Sequence, residues 1–535
     1  MSDEKLSPQE GNLRKKPIVV TVIGIILIYL LALRTGAAFV YFGLVSPDTC
    51  WLLKLGSIIA VSGAIPKTDP FSFTLPLYAS MGEPQSYVVY QWLSEVAFFF
   101  GFRFFHFAGL LAAAAILISI AYLVIPLRAC VRLNAPAIWS FLAVAAASTA
   151  VNLRSFIRPE IFSCLFLSLW LWLLLPLRAR GFDDSGSSAT NDIDWKVVGL
   201  LAGLMVVWCN MHTGFVSGII VLGVYAFASW LEDFRAQRRL CGSTKTLLLC
   251  LIASILGSLV NPYGIGLWLY LPHLFFDPIN NEIKELQGIK STMLFQSLRF
   301  PLVCLVILCY GAIALLISKN RKQSPDFLKS PVRLSSLLLV ITATVLSFTK
   351  RRLVSLGAVV MLIETAHFIG SRKAKDAWPP LFWHKKISIL VVELMILILA
   401  PRGVFDIANK SIILSVPQLT SEFQPPLKAM MFFNHNYDEG RIFGSTQISD
   451  MLDLYFSPKN SIFMDTRLDI YSPKIRQDFE TICSARGNWK DLLDTYQIKW
   501  VFVEPRAEIG EVLERESGWK IQYRDSSAKI FKREP

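Results

Sequence analysis

Glu160-Ile161-Phe162-Ser163-Cys164-Leu165-Phe166-Leu167-Ser168-Leu169-Trp170-Leu171-Trp172-Leu173-Leu174-Leu175-Pro176-Leu177 runs straight into a basic pair, Arg178 and Arg180. No charge lies between Glu160 and Arg178. The stretch has the ~18 residues or more that a helix needs to cross a ~30 Å hydrocarbon core. The basic pair at its end reads as a cytoplasmic anchor.

Runs of the same kind recur along the chain. We draw spans at 17–43, 106–126, 136–152, 159–177, 196–209, 214–230, 245–260, 301–318, 334–348, 353–370 and 386–401, about eleven crossings. The pair 196–209 and 214–230 also reads as one kinked or re-entrant unit. Only 17% of the 535 residues are charged and 53% are hydrophobic, against ~25% charged for soluble domains. The net charge of +13 would suggest nucleic acid in a soluble protein. Here the excess sits in short loops: Arg128 and Arg132; Arg235, Arg238 and Arg239; Lys319, Arg321 and Lys322; Arg372, Lys373 and Lys375. These fall on the side of Arg14-Lys15-Lys16, so no nucleic-acid partner is expected. The expected layout is a multi-pass protein of the cytoplasmic (inner) membrane. It has a cytoplasmic tail at 1–16 and a membrane helical domain at 17–401 with a large first outer loop at 44–105. A small extracytoplasmic α/β domain follows at 402–535, compact from about 425. The fold class is therefore mainly α, a polytopic helical membrane bundle.

Within the outer loop, Thr49–Ala64 and Tyr90–Phe105 read as amphipathic helices lying in the membrane interface. Pro66, Pro70 and Pro76 break the stretch between them. In the C-terminal region Ser461–Met464 and Lys499–Val503 are strand candidates. Gln447–Phe456, Pro473–Arg486 and Ala507–Ser517 have helical spacing. Residues 520–532 suggest a hairpin around Asp525-Ser526-Ser527. The nine Cys and six His form no CxxC or HExxH pattern, so no transition-metal site is read. The acids are too dispersed to define a divalent-metal site, and a divalent cation stays open as a cofactor.

The chemistry-bearing residues lie at outer ends of spans. Asp48, just past the first span, is placed to take a proton from a hydroxyl; as an opener of a helical run it also fits an N-cap. Asp69 before Pro70 is a turn former or a second acid. Arg154, Arg158, Lys350, Arg351 and Arg352 sit against the charge bias of the loops. Such residues mark function or snorkel outward, and arginine forks suit phosphate oxygens. Pairing with Glu160 is the structural alternative. Glu95, Trp92 and His212 fit polar contacts or substrate binding. Asp465, Arg467, Asp469 and Tyr471 fit a local ion-pair cluster or the lining of an acceptor cleft.

The ordered motifs Ser46-Pro47-Asp48-Thr49, Gly63-Ala64-Ile65-Pro66, Thr68-Asp69-Pro70-Phe71-Ser72-Phe73, Gln91-Trp92-Leu93-Ser94-Glu95, Arg158-Pro159-Glu160, Asn210-Met211-His212-Thr213-Gly214, Asn261-Pro262-Tyr263-Gly264 and Phe463-Met464-Asp465-Thr466-Arg467 resemble a largely uncharacterised group of bacterial proteins. That group is classed with the GT-C-type integral membrane glycosyltransferases. The resemblance implies a GT-C-like bundle with an acidic residue in its first outer loop, and a sugar donor carried on a polyprenyl phosphate. The expected function is transfer of that sugar to an extracytoplasmic glycan, lipid or protein. Asp48 and Asp69 would act at the reacting centre, and Arg154, Arg158, Arg351 and Arg352 on the donor phosphate. Glu95, Glu160, His212 and Trp92 would be near substrate. The chain departs from the group at Tyr90-Gln91, Leu286, Cys50 and Leu53. A non-catalytic envelope assembly protein and a lipid or solute transporter remain the alternatives.

Overall fold

The computed structural model describes residues 26–27, 29–35, 48–83, 86–133, 135, 140, 143–145, 156–180, 192–235, 240–281, 331–370, 393–402, 404, 426–456 and 461–534. The expected spans 17–43, 136–152 and 301–318 lie wholly or mostly outside them, and 386–401 is described only from 393, so the expected number of crossings stays an expectation.

Three helical stretches among the described residues are long and apolar enough to cross a bilayer: Trp92–Arg132, Glu160–Leu177 and Phe215–Arg235. The first is a column of three parts, α3 (Trp92–Ser119), a π turn (Ile120–Val124) and α4 (Ile125–Arg132). α3 breaks at His106, whose φ of 55° is rare for a residue with a Cβ. That break separates the Phe-rich segment, which the sequence ends at Phe105, from the apolar run after it. α5 (Glu160–Arg180) continues through Pro176 to its basic end. α6 (Trp195–Met211) and α7 (Phe215–Arg235) are separate helices joined by His212-Thr213-Gly214. α8 (Gly242–Gly257), α10 (Pro331–Thr349) and α11 (Val354–Gly370) are shorter apolar helices of the bundle. α9 (Ile265–Phe276) has no counterpart in the sequence reading. Its short length and internal Pro272 hide it from a search for long spans.

The outer loop differs from expectation. α1 (Asp48–Ser62) does not present one apolar face to an interface. It buries Cys50, Trp51, Leu52, Leu53, Leu55, Gly56 and Ile59, packed between α3 and α13 (Thr446–Tyr455). Gly56 makes the α1–α3 approach feasible, since a Cβ there would lie 2.1 Å from the Glu95 carbonyl oxygen. Pro76, expected to break a helix, sits in the first turn of α2 (Thr74–Ser80), where a missing N–H costs nothing.

The C-terminal region holds a four-stranded sheet of order β1-β2-β4-β3: β1 (Arg441–Gly444), β2 (Ile498–Val503), β3 (Trp519–Arg524) and β4 (Lys529–Arg533). β1 and β2 are parallel, and the β3–β4 hairpin closes antiparallel on β2. α14 (Pro473–Cys483) and α15 (Trp489–Thr495) lie in the β1–β2 crossover, and α16 (Glu508–Leu513) follows β2. The expected strand at Ser461–Met464 is only a bridge: Ile462 pairs with Ile442 on one side and Ser72 of the outer loop on the other. The Phe73 N–H donates to the Ile462 carbonyl at 2.9 Å, and Thr74 Oγ1 to the Phe463 carbonyl at 2.7 Å. Phe73 packs edge-on against Phe463, and the hydroxyls of Tyr78 and Tyr496 lie 2.9 Å apart. The Asp69–Tyr78 stretch is thus part of the C-terminal core, and loop and sheet share one apolar cluster.

Gly56→Ala should lower stability by about 1–3 kcal/mol through overpacking. Gly203→Ala, in α6 with nothing within 4 Å of a new Cβ, should leave it unchanged or raise it by up to ~1 kcal/mol. Thermal unfolding of the detergent-solubilised variants measures both.

Candidate active site

Asp48 opens α1, and Arg158 lies in the turn that leads into α5. Arg158 Nη2 and Asp48 Oδ2 are 2.7 Å apart, and each side chain keeps 20% exposure, enough to meet a ligand. Two residues on, Glu160 pairs with Arg352, which sits in the 3-10 turn Arg351–Leu353 before α11. The result is a row of alternating charges where α1, α5 and α11 converge. Arg158 and Glu160, with Tyr122, Phe156, Ile118 and Ser355, line a small open crevice. Beside it lies an apolar groove between α5, α7, α10 and α11, lined by Leu167, Val221, Leu339, Leu353, Leu356 and Gly357. The segment 353–357 walls both: Ser355 faces the crevice, while Leu353, Leu356 and Gly357 face the groove.

Arg467 organises the layer above this row. Its Nη1 lies 2.8 Å from Asp69 Oδ1, and its Nε and Nη2 bind the Asp465 carboxylate. The guanidinium carbon sits 4.8 Å from the Phe71 ring centre and 5.6 Å from that of Trp51. All three charged side chains are 5% exposed or less. Burial works against the guanidinium charge, but Asp465 and Asp69 more than restore it. Asp69 Oδ2 also accepts from the Ser72 N–H and Oγ at 2.8 and 2.6 Å. Asp69 is thereby committed to holding the loop, and Asp465 and Arg467 form the ion-pair cluster that was one of the two readings of that motif.

Thr466 links the two layers. Its Oγ1 lies 3.0 Å from Asp48 Oδ1 and 2.7 Å from Asp450 Oδ2, and it receives the Trp51 Nε1–H at 3.2 Å. One hydroxyl proton serves only one carboxylate, so the other contact needs a protonated acid. Asp450 supplies it, because burial and the negative charges of Asp465 and Asp48 push its carboxyl well above the usual range. Asp453, one turn along α13, is pushed up by burial and by Asp465 in the same way. Asp450, Thr466 and Asp48 thus form a hydrogen-bonded chain that ends at the carboxylate paired with Arg158.

Asp450 and Asp453 were absent from the sequence reading, and Thr466 entered it only as a member of the Phe463–Arg467 motif, with no role. The available signal was two acids spaced i, i+3 on the inward face of a helix, among Ile448, Met451 and Leu452. Of the expected site residues, the structure brings Asp48, Arg158, Glu160 and Arg352 together. Asp69 lies behind them with Arg467. Glu95 is 1% exposed on α3. Trp92 Nε1 donates to Asn210 Oδ1 at 2.8 Å. His212 Nδ1 lies 2.8 Å from Ser163 Oγ and accepts the Gly214 N–H at 3.0 Å, so these two tie helices together. Arg154 and the Arg351 side chain lie outside the described residues.

Two buried acids of the bundle have partners. Glu364 accepts from Tyr225 Oη at 2.5 Å, and Glu393 pairs with Arg128. Among the described residues no group of three or more His, Cys, Asp or Glu is arranged to hold a metal ion, so no step is routed through one.

No family model and no curated protein matches the chain. Solved structures do. The archaeal oligosaccharyltransferase AglB from Archaeoglobus fulgidus, in complex with an inhibitory peptide and a dolichol-phosphate, aligns at TM-score 0.55 and 11% identity, over 90% of this chain and 69% of that one. The apo form of the Archaeoglobus fulgidus oligosaccharyltransferase aligns at TM-score 0.52 and 12% identity, over 93% and 70%. ArnT from Cupriavidus metallidurans bound to undecaprenyl phosphate aligns at TM-score 0.48 and 10% identity, over 96% and 97%, a likeness too slight to build on. The oligosaccharyltransferase alignments show a shared fold.

Arg467→Ala leaves two buried carboxylates without their cation and should cost about 3–5 kcal/mol in thermal unfolding. Adding Asp69→Asn and Asp465→Asn should restore part of it. Asp450 and Asp453 hold their protons more tightly folded than unfolded. Their stabilisation is complete below the ordinary aspartate value of ~3.9 and is lost as pH rises toward the raised folded values. The double variant Asp450→Asn/Asp453→Asn should therefore gain on the wild type in melting temperature as pH is raised from about 5 to about 9.

Proposed function

We propose that the protein is a membrane glycosyltransferase that moves a sugar from a polyprenyl-phosphate donor to a hydroxyl acceptor on the outer face of the cytoplasmic membrane. One observation carries this reading: the crevice lined by Arg158 and Glu160, with Arg352 paired to Glu160, adjoins an apolar groove through the shared wall 353–357. That juxtaposition suits an amphiphile with an anionic head and a hydrocarbon tail. The shared fold supports it, since AglB was solved with a dolichol-phosphate.

The chemistry follows from the charges. The acceptor oxygen attacks the anomeric carbon, the bond from that carbon to the phosphate oxygen breaks, and the acceptor proton passes to Asp48. The polyprenyl phosphate leaves with its new negative charge facing Arg158 and Arg352. In the resting arrangement Arg158 neutralises Asp48. A donor phosphate competes for that guanidinium, and as Arg158 turns to it the Asp48 carboxylate is released to the acceptor hydroxyl. Proton capture is thus coupled to donor binding. Thr466 holds Asp48 Oδ1 in place throughout. Asp69 serves through Arg467 rather than at the reacting atoms. In this reading the N-terminus is cytoplasmic and the C-terminal sheet lies outside.

The test is incubation of purified protein in nanodiscs with a panel of labelled polyprenyl-phosphate sugars. Transfer by wild type, its loss by ~10²-fold or more in Asp48→Asn, and a raised donor KM in Arg352→Gln are expected. Absence of both transfer and binding of undecaprenyl phosphate would sink the reading.

A further inference from the structure

Arg158 and Arg352, the two cations at the crevice, are each already paired, the first with Asp48 and the second with Glu160. An anionic head entering there meets two cations and two carboxylates, so charge alone gives it little net attraction. A further donor whose present hydrogen bond is easily broken would favour entry.

Tyr122 is such a donor. It lines the crevice with Arg158, Glu160 and Ser355, and its hydroxyl donates to Cys164 Sγ at 3.2 Å. A thiol sulfur is a weak acceptor. A phosphate oxygen is charged, and hydrogen bonds to ionised acceptors are roughly twice as strong as neutral ones. Exchange of sulfur for phosphate is therefore favourable. Cys164 follows Glu160 by four residues on α5, one turn deeper on the same face. The phenol thus reaches α5 one turn below the residue that holds Arg352.

The backbone fixes the ring independently of that bond. Tyr122 is the central residue of the π turn Ile120–Val124, a rare geometry that recurs at functional sites. The Ala121 carbonyl in this turn accepts from Ser168 Oγ at 2.7 Å, and Ser168 is fully buried, one turn beyond Cys164 on α5. The turn is thereby fastened to α5, and the tyrosine ring stays at the crevice wall whichever acceptor its hydroxyl takes.

We propose that Tyr122 is a phosphate-binding residue of this site. Its O–H leaves Cys164 for an oxygen of the lipid-linked phosphate, beside Arg158 and Arg352. The proposal rests on the transfer reading above. The phosphate gains negative charge as its bond to the sugar breaks, so the same hydrogen bond strengthens during the step.

The test uses the full chain in nanodiscs with two labelled lipids, undecaprenyl phosphate and undecaprenol, which share a tail and differ in the head. Tyr122→Phe should weaken undecaprenyl phosphate about tenfold, as expected for one lost hydrogen bond to a charged group. It should bind undecaprenol as wild type does, which shows that the variant folds. Cys164→Ala removes the competing acceptor and should tighten undecaprenyl phosphate about two- to fivefold, an effect that a merely structural tie between the helices would not produce. Unchanged phosphate binding in Tyr122→Phe, equal loss of both lipids, or a Cys164→Ala variant weakened like Tyr122→Phe would overturn the proposal and leave the transfer reading standing. Failure of undecaprenyl phosphate to bind wild type would instead remove the transfer reading, and this proposal with it.

Discussion

A single guanidinium, buried between two carboxylates from distant parts of the chain, is the constraint on which the outer face depends. Arg467 draws Asp69 of the outer loop to Asp465 of the C-terminal region. A charge this deep persists only with its partners in place. Once it is satisfied, the Phe71–Phe73 stretch has little choice but to pair with Ile462. α1 is then held with its first residue, Asp48, against Thr466. The carboxylate paired with Arg158 of the crevice is thus aimed by a clamp outside the crevice lining.

The same arrangement sorts acids by role. Asp69 and Asp465 are sealed and committed to one cation. Asp450 and Asp453 are buried with no ion pair of their own, and burial pushes both carboxyls well above the usual range. Asp48 keeps partial exposure and an arginine that a phosphate can compete for. These carboxyls differ in solvent access and in their nearest charge, which is how one protein surface keeps several acids in different protonation states. Asp48 is the member of the set with both solvent access and an exchangeable partner.

Much of this was legible in the sequence, and the part that was not has a physical cause. Apolar length and basic flanks marked α5 and α7, because a bilayer imposes a minimum span. The break before His106 was visible as a change from a Phe-rich amphipathic run to an uninterrupted apolar one. The acid at Asp48 and the arginine at Arg158 were legible as charges where charges are unfavourable. What the sequence could not carry was pairing across the chain. Asp69-Pro70-Phe71 and Asp465-Thr466-Arg467 each read as a local turn, and nothing in either names the other. For the same reason α1 read as a surface helix: its polar positions, Thr49 among them, turn out to face protein. α9 was missed because a 12-residue helix with an internal proline resembles a loop.

The claim at the centre of this account is that a lipid phosphate displaces Asp48 from Arg158. Cryo-electron microscopy of the protein in nanodiscs saturated with undecaprenyl phosphate tests it most directly. The account predicts phosphorus density beside Arg158 and Arg352, tail density entering the groove behind Leu353 and Leu356, and an Asp48 carboxylate released from the guanidinium but still held by Thr466. Lipid bound elsewhere, or lipid in the crevice with the Asp48–Arg158 pair intact, would contradict it.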